Sequence, residues 1–264
     1  VCSNFIQVYT LKGEYKRTLK INLFESSDKK VLNFDDESLL IYDDVVIEPG
    51  REKTTKKAPY HFVSKKDGSL ISTLGIHFQK RYSNAIPQLL ENNKWRQYKF
   101  YYPQNMYSGS EIIIADISSD TIYQLSPNKG LKPLLTRKPS IHATDPLNIW
   151  IPLLITDKYM LLSTFLLDFN TTGGKMPTFI YEYKSNEINK VSIVDTEYEI
   201  KPWRQGRWTP NACPVIAKNR TADLVEASLV LEAYKGKQLR GNGEQVAKRL
   251  REDDNPVVRI LKFK

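Results

Sequence analysis

The sequence predicts an all-β protein whose chain repeats a four-stranded antiparallel unit. Three observations support this: a strand–turn–strand pattern recurs, its turns are evenly spaced, and the later copies each follow a more apolar pair of strands. Fifteen Tyr and ten Phe, against twelve Gly, also favour strands, because aromatic rings pack well on a pleated sheet. Repeated sheets of this kind are typical of a β-propeller, although a plain β-meander or a sandwich also repeats hairpins.

The recurring hairpin has a β-prone run on each side of a turn residue. Four copies are recognisable: IQVYTLKGEYKRTLKI (6–21), YHFVSKKDGSLISTLGI (60–76), DTIYQLSPNKGLKPLL (120–135) and TFIYEYKSNEINKVSIVD (178–195). Their turn residues are Gly13, Gly68, Gly130 and Asn186, which are 55, 62 and 56 positions apart. Glycine and asparagine suit such turns because both tolerate a positive φ angle. We therefore expect one hairpin in each repeat.

A more apolar strand pair precedes each of the three later hairpins. These pairs are VLNFDDESLLIYDD (31–44), RQYKFYY (96–102) with EIIIADIS (111–118), and NIWIPLLI (148–155) with YMLLSTFLLDF (159–169). Two inner strands buried on both faces, followed by two outer strands of alternating polarity, are expected of a propeller blade. A period of about 58 residues favours a propeller over a meander or a sandwich.

The C-terminal segment departs from the repeat. Apolar spacing predicts one short helix in TADLVEASLVLEAYKG (221–236) and a second in GEQVAKRLRED (243–253). Pro256 ends the second helix, because the residue before a proline avoids the helical conformation. VVRILKF (257–263) alternates and predicts a final strand. The sequence thus predicts a single domain over 1–264, with a helical insertion over 221–253 before its last strand.

Composition argues against nucleic-acid and membrane-spanning functions. The net charge of +9 comes from 39 basic and 30 acidic side chains spread along the chain. Their one cluster, REKTTKK (51–57), is better explained by a solvated loop, so we expect no nucleic-acid partner. The longest apolar stretches are far shorter than the roughly 18 residues of a membrane-spanning helix, so no transmembrane segment is expected.

No familiar catalytic or metal signature occurs in the sequence. His61, His77 and His142 are scattered, and Cys2 and Cys213 have no metal or redox spacing, so zinc is not expected. No GxSxG nucleophile motif is present. We expect no cofactor, with Ca²⁺ held by oxygen ligands in an axial channel as the alternative. Whether the protein is an enzyme stays open, but nothing in the sequence favours one.

The most suggestive stretch is KPWRQGRWTPNACP (201–214). Trp203 and Trp208 flank Arg204 and Arg207 there, and two indoles with two guanidiniums can stack on a sugar ring or hold an acidic group. The competing interpretation, which we favour, is that the indoles plug the crossing to the helical segment with the arginine stems packed over them. IHATDPLNIW (141–150) is a second loop of this kind.

The chain resembles a known group of proteins in IQVYTLKGEYKRTLKI, SDTIYQLSPNKGLKPLL (119–135) and VAKRLREDDNPVVRILKFK (246–264). These stretches are similar to the six-bladed β-propeller proteins of gut Bacteroides-type bacteria, many of them secreted or lipid-anchored, whose biochemical role is largely unassigned. The resemblance covers nearly the whole chain. It implies a periplasmic, outer-membrane or cell-surface location.

The resemblance also implies that blades are missing. Six blades of about 58 residues need roughly 350 residues, whereas a chain of 264 residues holds only four to five such blades. We therefore expect the chain to be the C-terminal portion of a longer propeller, incomplete at its N-terminal side, or else an open ring.

Three functions are compatible with this sequence. The first is a non-catalytic, exported binding module that recognises a protein or a glycan through loops at one end of the ring. The second is a hydrolase or lyase acting on a carbohydrate or lactone, with its site in the axial channel. The third is a structural scaffold without a polar pocket. The sequence does not indicate an oligomeric state.

Overall fold

The computed structural model of the chain describes residues 5–21, 29–43, 58–78, 80–82, 85–90, 94–99, 105–166, 177–192, 215–217 and 219–262. The described residues are mostly β-strand, in several antiparallel sheets. The chain divides into two compact units, Val1–Phe100 with Ile117–Ser119, and Tyr101–Asp116 with Asp120–Lys264. We refer to them as unit 1 and unit 2. The prediction of a single domain over 1–264 stays a prediction.

The strands described in unit 1 form two hairpins and a four-stranded sheet. The first hairpin joins β1 (Phe5–Tyr9) and β2 (Tyr15–Lys20). The sheet contains β3 (Lys29–Asn33), β4 (Ser38–Asp43), β5 (Tyr60–Ser64) and β6 (Leu70–Thr73), in that order. The second hairpin joins β7 (Ala85–Leu89) and β8 (Trp95–Lys99).

The strands described in unit 2 form two four-stranded sheets and one three-stranded sheet. The first four-stranded sheet contains β9 (Asn105–Ser108), β10 (Glu111–Ile114), β11 (Thr121–Leu125) and β12 (Leu131–Thr136). The second contains β13 (Asn148–Ile155), β14 (Tyr159–Leu166), β15 (Thr178–Glu182) and β16 (Glu187–Val191). The third sheet contains β17 (Val215–Ala217), β18 (Arg220–Val225) and β19 (Val257–Lys262).

All three four-stranded sheets are built from consecutive antiparallel strands, so the predicted all-β class is confirmed. The predicted burial pattern is wrong for the sheet that begins at β3. Its buried strands are the two central ones, β4 and β5, whereas Val31 of the predicted inner strand β3 is 45% exposed and all of β6 is exposed. The sheet that begins at β13 follows the prediction, with β14 largely buried and β16 mostly exposed.

The predicted turn residues are confirmed at three of the four hairpins. Gly13, Gly68 and Asn186 have φ angles of 85°, 83° and 57°. At the third hairpin the prediction is wrong, because Lys129 adopts the positive φ angle of 64° and Gly130 does not. A β-carbon on Gly130 would lie 2.9 Å from the Ser126 hydroxyl oxygen, so a larger residue there would require the Ser126 side chain to move.

The prediction that RQYKFYY (96–102) supplies an inner strand of the third repeat is wrong. Residues 96–99 belong to β8, which pairs with β7 in a separate hairpin. The partner of β10 is instead β9, joined to it by a two-residue turn with Gly109 at a φ angle of 64°. A glycine in the first central position of such a turn matches the twist of two antiparallel strands. The sequence signal was therefore the glycine in SGSE (108–111).

The helical segment is shorter than the sequence predicts. Residues 221–225 lie in β18, because a continuous ladder pairs them with β19, and the first helix is α1 (Ala227–Lys235). The second helix is α2 (Asn242–Ala247), so the prediction that it extends to 253 and is ended by Pro256 is wrong. Beyond it, the Asp254 carboxylate accepts the Arg251 backbone N–H at 2.7 Å in a separate turn. Both helices lie between the paired strands β18 and β19, as the predicted insertion requires.

Each unit has its own packing between elements. In unit 2, the two four-stranded sheets share one apolar core: Met106, Ile113, Ala115, Ile122, Ile155, Met160 and Leu162. In unit 1, Ile6 of β1 and Ile21, which follows β2, pack with Ile41 and Val63 of the four-stranded sheet. Across its described residues, the protein has no helix with the length and apolarity needed to cross a bilayer.

Candidate functional site

The loop residues singled out from the sequence, Trp203, Arg204, Arg207 and Trp208, lie outside the described residues. The second loop, 141–150, is described and lies in unit 2, between β12 and β13. It begins with a short 3₁₀ turn, Ile141–Ala143. The surroundings of this loop form the most developed polar arrangement in the described part of unit 2.

Strand direction brings several polar residues to one edge of the sheet β9–β12. In an antiparallel sheet of consecutive strands, the starts of the first and third strands and the ends of the second and fourth strands share one edge. This edge carries Asn105 at the start of β9, Asp116 just after β10, Asp120 just before β11, and Arg137 just after β12. The loop that follows Arg137 leads to Asn148 at the start of β13. We call these five residues and the loop 138–147 the strand-start edge.

Arg137 holds the loop to this edge. Its side chain is buried, donates from Nε to the Pro139 carbonyl oxygen at 3.0 Å, and donates from Nη1 to the Asn148 carbonyl oxygen. The guanidinium also lies over the Trp150 ring, 5.3 Å from its centroid. Burial lowers the pKa of Arg137, and the Asp120 charge opposes that shift. The guanidinium stays protonated, so a buried cation ties both ends of the loop together.

Asp120 completes the attachment of the loop. Its carboxylate accepts the Ile141 backbone N–H at 2.6 Å, and its carbonyl accepts the Arg137 N–H at 2.8 Å. Ser140 and Thr144 then use their hydroxyl oxygens to accept the backbone N–H groups of His142 and Asn148. These bonds fix the loop backbone, and the side chains of His142 and Asp145 on it are exposed.

Two asparagine side chains at the strand-start edge have buried polar atoms with no hydrogen-bond partner. They are Nδ2 and Oδ1 of Asn105 and Oδ1 of Asn148. Each residue is the first of the first strand in its sheet. Met106, next to Asn105, and Trp150, two residues beyond Asn148, pack in the same apolar core. Because strand residues alternate between faces, the Asn148 side chain lies on the core side of its sheet, and the Asn105 side chain lies on the face opposite Met106.

Unpaired buried amides are costly to the fold. An unsatisfied buried polar group costs about 1–3 kcal/mol, and most buried polar atoms in proteins do find partners. The exceptions need an explanation, such as binding. Asn105 offers one donor group and one acceptor, and Asn148 offers an acceptor. This set can bind a hydroxyl or amide group of a ligand, but the amide side chain does not ionise near neutral pH and supplies no acid or base.

The described histidines do not gather into a site. His61 is buried in β5, where its Nδ1 lies 3.1 Å from the Thr73 hydroxyl oxygen, and His142 lies in the loop 138–147. Within the described ranges, no three His, Cys, Asp or Glu side chains cluster in a way that could hold a metal ion. The axial Ca²⁺ alternative stays a prediction.

Sequence reasoning noted the loop 141–150 but missed the residues that organise it. Arg137, Asp120 and the two asparagines carry no motif, and their importance depends on burial. A weak signal was present in TRKPSIHATDPLN (136–148), where an arginine directly follows a strand and two prolines and a Ser-x-His come after it. Residues of this kind at the end of a strand indicate an ordered loop.

Comparison with known proteins gives a likeness in structure and none in sequence. No protein-family model matches the chain, and no curated protein matches its sequence. The crystal structure of a "putative exported protein" from Bacteroides fragilis is similar to this chain, with a TM-score of 0.57 and 8% sequence identity. The match covers 99% of this chain and 72% of that chain. At this identity the likeness concerns the fold.

Proposed function

We propose that this chain is a non-catalytic binding module of the β-propeller type, exported to the periplasm or cell surface, which recognises a protein or glycan through the strand-start edge. Consecutive four-stranded antiparallel sheets support the propeller interpretation, because each has the strand order of a blade. The shared core of the sheets β9–β12 and β13–β16 supports it too, since neighbouring blades pack face to face.

Export is supported by the structural likeness to the Bacteroides fragilis protein and by the resemblance of three sequence stretches to exported propellers. The role of the edge in binding has support of its own. Loops held by a rigid scaffold commonly carry binding residues, and the loop 138–147 is tied at both ends by one buried arginine.

The observation that carries the proposed function is the unpaired amide of Asn105. Its donor and its acceptor are both buried, and both lack a partner. Proteins retain costly arrangements of this kind where function requires them, at some expense of stability. A ligand that supplies one hydrogen-bond acceptor and one donor would satisfy both atoms.

A thermal-shift screen tests this function. The purified chain is melted with a panel of oligosaccharides and with Ca²⁺ and other divalent cations, and metal content is measured in parallel. We expect at least one ligand to raise the melting temperature of the wild type and of Asn189→Leu, a control on the exposed strand β16. The same ligand should not raise that of Asn105→Leu. A shift of equal size in Asn105→Leu contradicts the proposed role of the edge.

The hydrolase or lyase alternative is followed in the same samples. Release of reducing ends or of unsaturated sugar products from the oligosaccharides during incubation would overturn the non-catalytic assignment. Ligand-induced stabilisation with intact oligosaccharide supports it.

The loop 201–214 is a further proposed contact, through Trp203, Arg204, Arg207 and Trp208. Changing both Trp203 and Trp208 to Ala separates its two interpretations. Loss of the ligand shift with an unchanged melting temperature of the unliganded protein supports a binding loop. A fall in that melting temperature supports the indoles as core plugs.

A further inference from the structure

One face of the hairpin β1–β2 in unit 1 carries exposed aromatic side chains. Phe5, Tyr9 and Tyr15 are 46%, 50% and 58% exposed. The strand register pairs Phe5 with Lys20, Gln7 with Thr18, and Tyr9 with Tyr15. Alternate residues of a strand point to the same face and repeat about every 7 Å. These six residues therefore form three successive rows, which we call the tyrosine face.

The two tyrosines of this face are held in fixed positions. Their rings meet edge to face, with centroids 5.9 Å apart and an interplanar angle of 74°. The Tyr9 hydroxyl donates to Gln7 Oε1 at 2.9 Å, and the Tyr15 hydroxyl lies 2.8 Å from the Thr18 hydroxyl oxygen. The rings thus stay exposed while their hydroxyls are already paired, which lowers the entropy that a ligand would have to remove.

The opposite face of the same hairpin has a different composition. Ile6 packs in the core of unit 1, Leu19 is buried, and Arg17 donates to the Lys65 carbonyl oxygen at 2.7 Å. Its aliphatic side chains are of the same type as those that pack between the two four-stranded sheets of unit 2. The tyrosine face instead alternates aromatic rings with an amide, a hydroxyl and an ammonium group. Its composition is that of a surface for a polar ligand with flat apolar patches, and not of a sheet-packing face.

Carbohydrates have this chemistry. The C–H groups of a sugar ring form an apolar patch that lies on an aromatic ring, and the ring hydroxyls hydrogen-bond to amides and hydroxyls at its rim. Charge narrows the class further. The charged side chain of this face is Lys20, whereas Arg17 lies on the opposite face, and the face carries no acidic residue, so an anionic ligand is favoured.

We propose that the tyrosine face binds a carboxylate-bearing polysaccharide chain, with sugar rings on Tyr9 and Tyr15 and a carboxylate near Lys20. The proposal goes beyond the function assigned to the strand-start edge and does not depend on it. The tyrosine face belongs to unit 1 and the strand-start edge belongs to unit 2, so variants of one can be tested separately from variants of the other.

The test uses the whole chain and polymers that differ in charge. Affinity electrophoresis and calorimetry compare polygalacturonate, its fully methyl-esterified form, alginate and a neutral glucan. We expect binding to at least one acidic polymer, and at least tenfold weaker binding to the esterified form. Tyr9→Ala with Tyr15→Ala should weaken binding at least tenfold, whereas Tyr9→Phe with Tyr15→Phe retains most of it. Leu70→Ala with Ile71→Ala, exposed on β6, is the matched control and should bind like the wild type.

Three outcomes overturn the proposal. One is the absence of binding to every polymer in the panel. Another is undiminished binding by the double alanine variant. The third is binding that disappears at 0.5 M salt in the wild type and the double alanine variant alike, because only non-specific charge attraction then holds the polymer. Melting curves of each variant confirm that the hairpin is folded.

Discussion

The carbonyl oxygen of Lys20 lies so close to Gly68 that a β-carbon on this glycine would stand 2.5 Å from it. Gly68 also has a φ angle of 83°, which residues other than glycine rarely adopt. The turn between β5 and β6 therefore contacts the end of β2 through bare backbone. Glycine is required here for two reasons at once, conformation and space.

The glycine pair Gly68 and Gly13 allows these two reasons to be separated. Gly13 has a φ angle of 85°, but no atom lies within 4 Å of a β-carbon placed on it. We expect Gly13→Ala to lower the free energy of unfolding by about 1–2 kcal/mol, the cost of the left-handed conformation. Gly68→Ala should cost about 3 kcal/mol or more, because overpacking is added. Urea unfolding measures both, and equal losses would show that the Lys20 contact is unimportant.

Changing Tyr183 to Phe should stabilise the protein. Its hydroxyl is buried without a partner beside the core of unit 2, whereas the Tyr181 hydroxyl donates to Asn186 Oδ1 at 3.0 Å. We expect Tyr183→Phe to raise the free energy of unfolding by about 1 kcal/mol, and Tyr181→Phe to lower it by about 0.5–1 kcal/mol. Chemical denaturation at pH 7 measures both variants. A loss of stability in Tyr183→Phe would contradict the absence of a partner.

The same tyrosine predicts a dependence of stability on alkaline pH. Burial, with a smaller contribution from Tyr181, raises the pKa of Tyr183 from 10.0 to about 12. Between these values the unfolded chain has released the Tyr183 proton and the folded chain retains it, so stability falls as the pH rises. We expect the stability difference between wild type and Tyr183→Phe to widen from pH 10 to pH 12. A constant difference over this range would show that the Tyr183 pKa is not raised.

Arg137 should be essential for the order of the loop 138–147. Arg137→Met removes the hydrogen bonds to the Pro139 and Asn148 carbonyls and should lower the free energy of unfolding by about 2–4 kcal/mol. Arg137→Lys keeps the charge but not the planar fork, and should fall between Arg137→Met and the wild type. Hydrogen exchange at the Ile141 amide, which donates to Asp120, should accelerate in the Met variant. Arg249→Met, on an exposed position, is the control, and unchanged exchange in Arg137→Met would contradict the attachment.

The unpaired amide of Asn105 predicts that function and stability oppose each other. Asn105→Leu has nearly the same shape and removes two unsatisfied polar atoms, so we expect a gain of about 1–2 kcal/mol in the free energy of unfolding. Asn189→Leu on the exposed strand β16 should change it by no more than about 0.5 kcal/mol. Thermal and urea unfolding measure both. A loss of stability in Asn105→Leu would mean that the amide has a partner in solution.

Strand pairs with strong local signals were predictable from the sequence. NIWIPLLI and YMLLSTFLLDF are long apolar runs, and the strands β13 and β14, which pair with each other, lie within them. Gly13, Gly68 and Asn186 adopt the positive φ angles that their residue types favour. Local signals failed where pairing decides the structure. TADLV has apolar residues that fit both a helix and a strand, and its ladder with β19 selects the strand.

The candidate site was much less predictable than the fold. The loop 141–150 was visible as an irregular stretch. The role of Arg137, however, depends on its contact with the Trp150 ring and on its hydrogen bonds to two carbonyls, which the sequence does not show. Whether Asn105 is paired depends on every atom around it. Hydrogen-bond satisfaction is a property of the packed structure, so no spacing in the sequence reports it.

The order of strands in the four-stranded sheets has a consequence for synthesis on the ribosome. Each of these sheets uses only consecutive strands, so a sheet such as 105–136 has all its partners as soon as that stretch of nascent chain has emerged. Local pairings of this kind close quickly, because little loop entropy is lost. In a sheet built from distant parts of the chain, strand edges and apolar faces would stay exposed until the later strands were synthesised, and exposed edges and faces promote aggregation. We therefore expect this chain to acquire its structure sheet by sheet during translation.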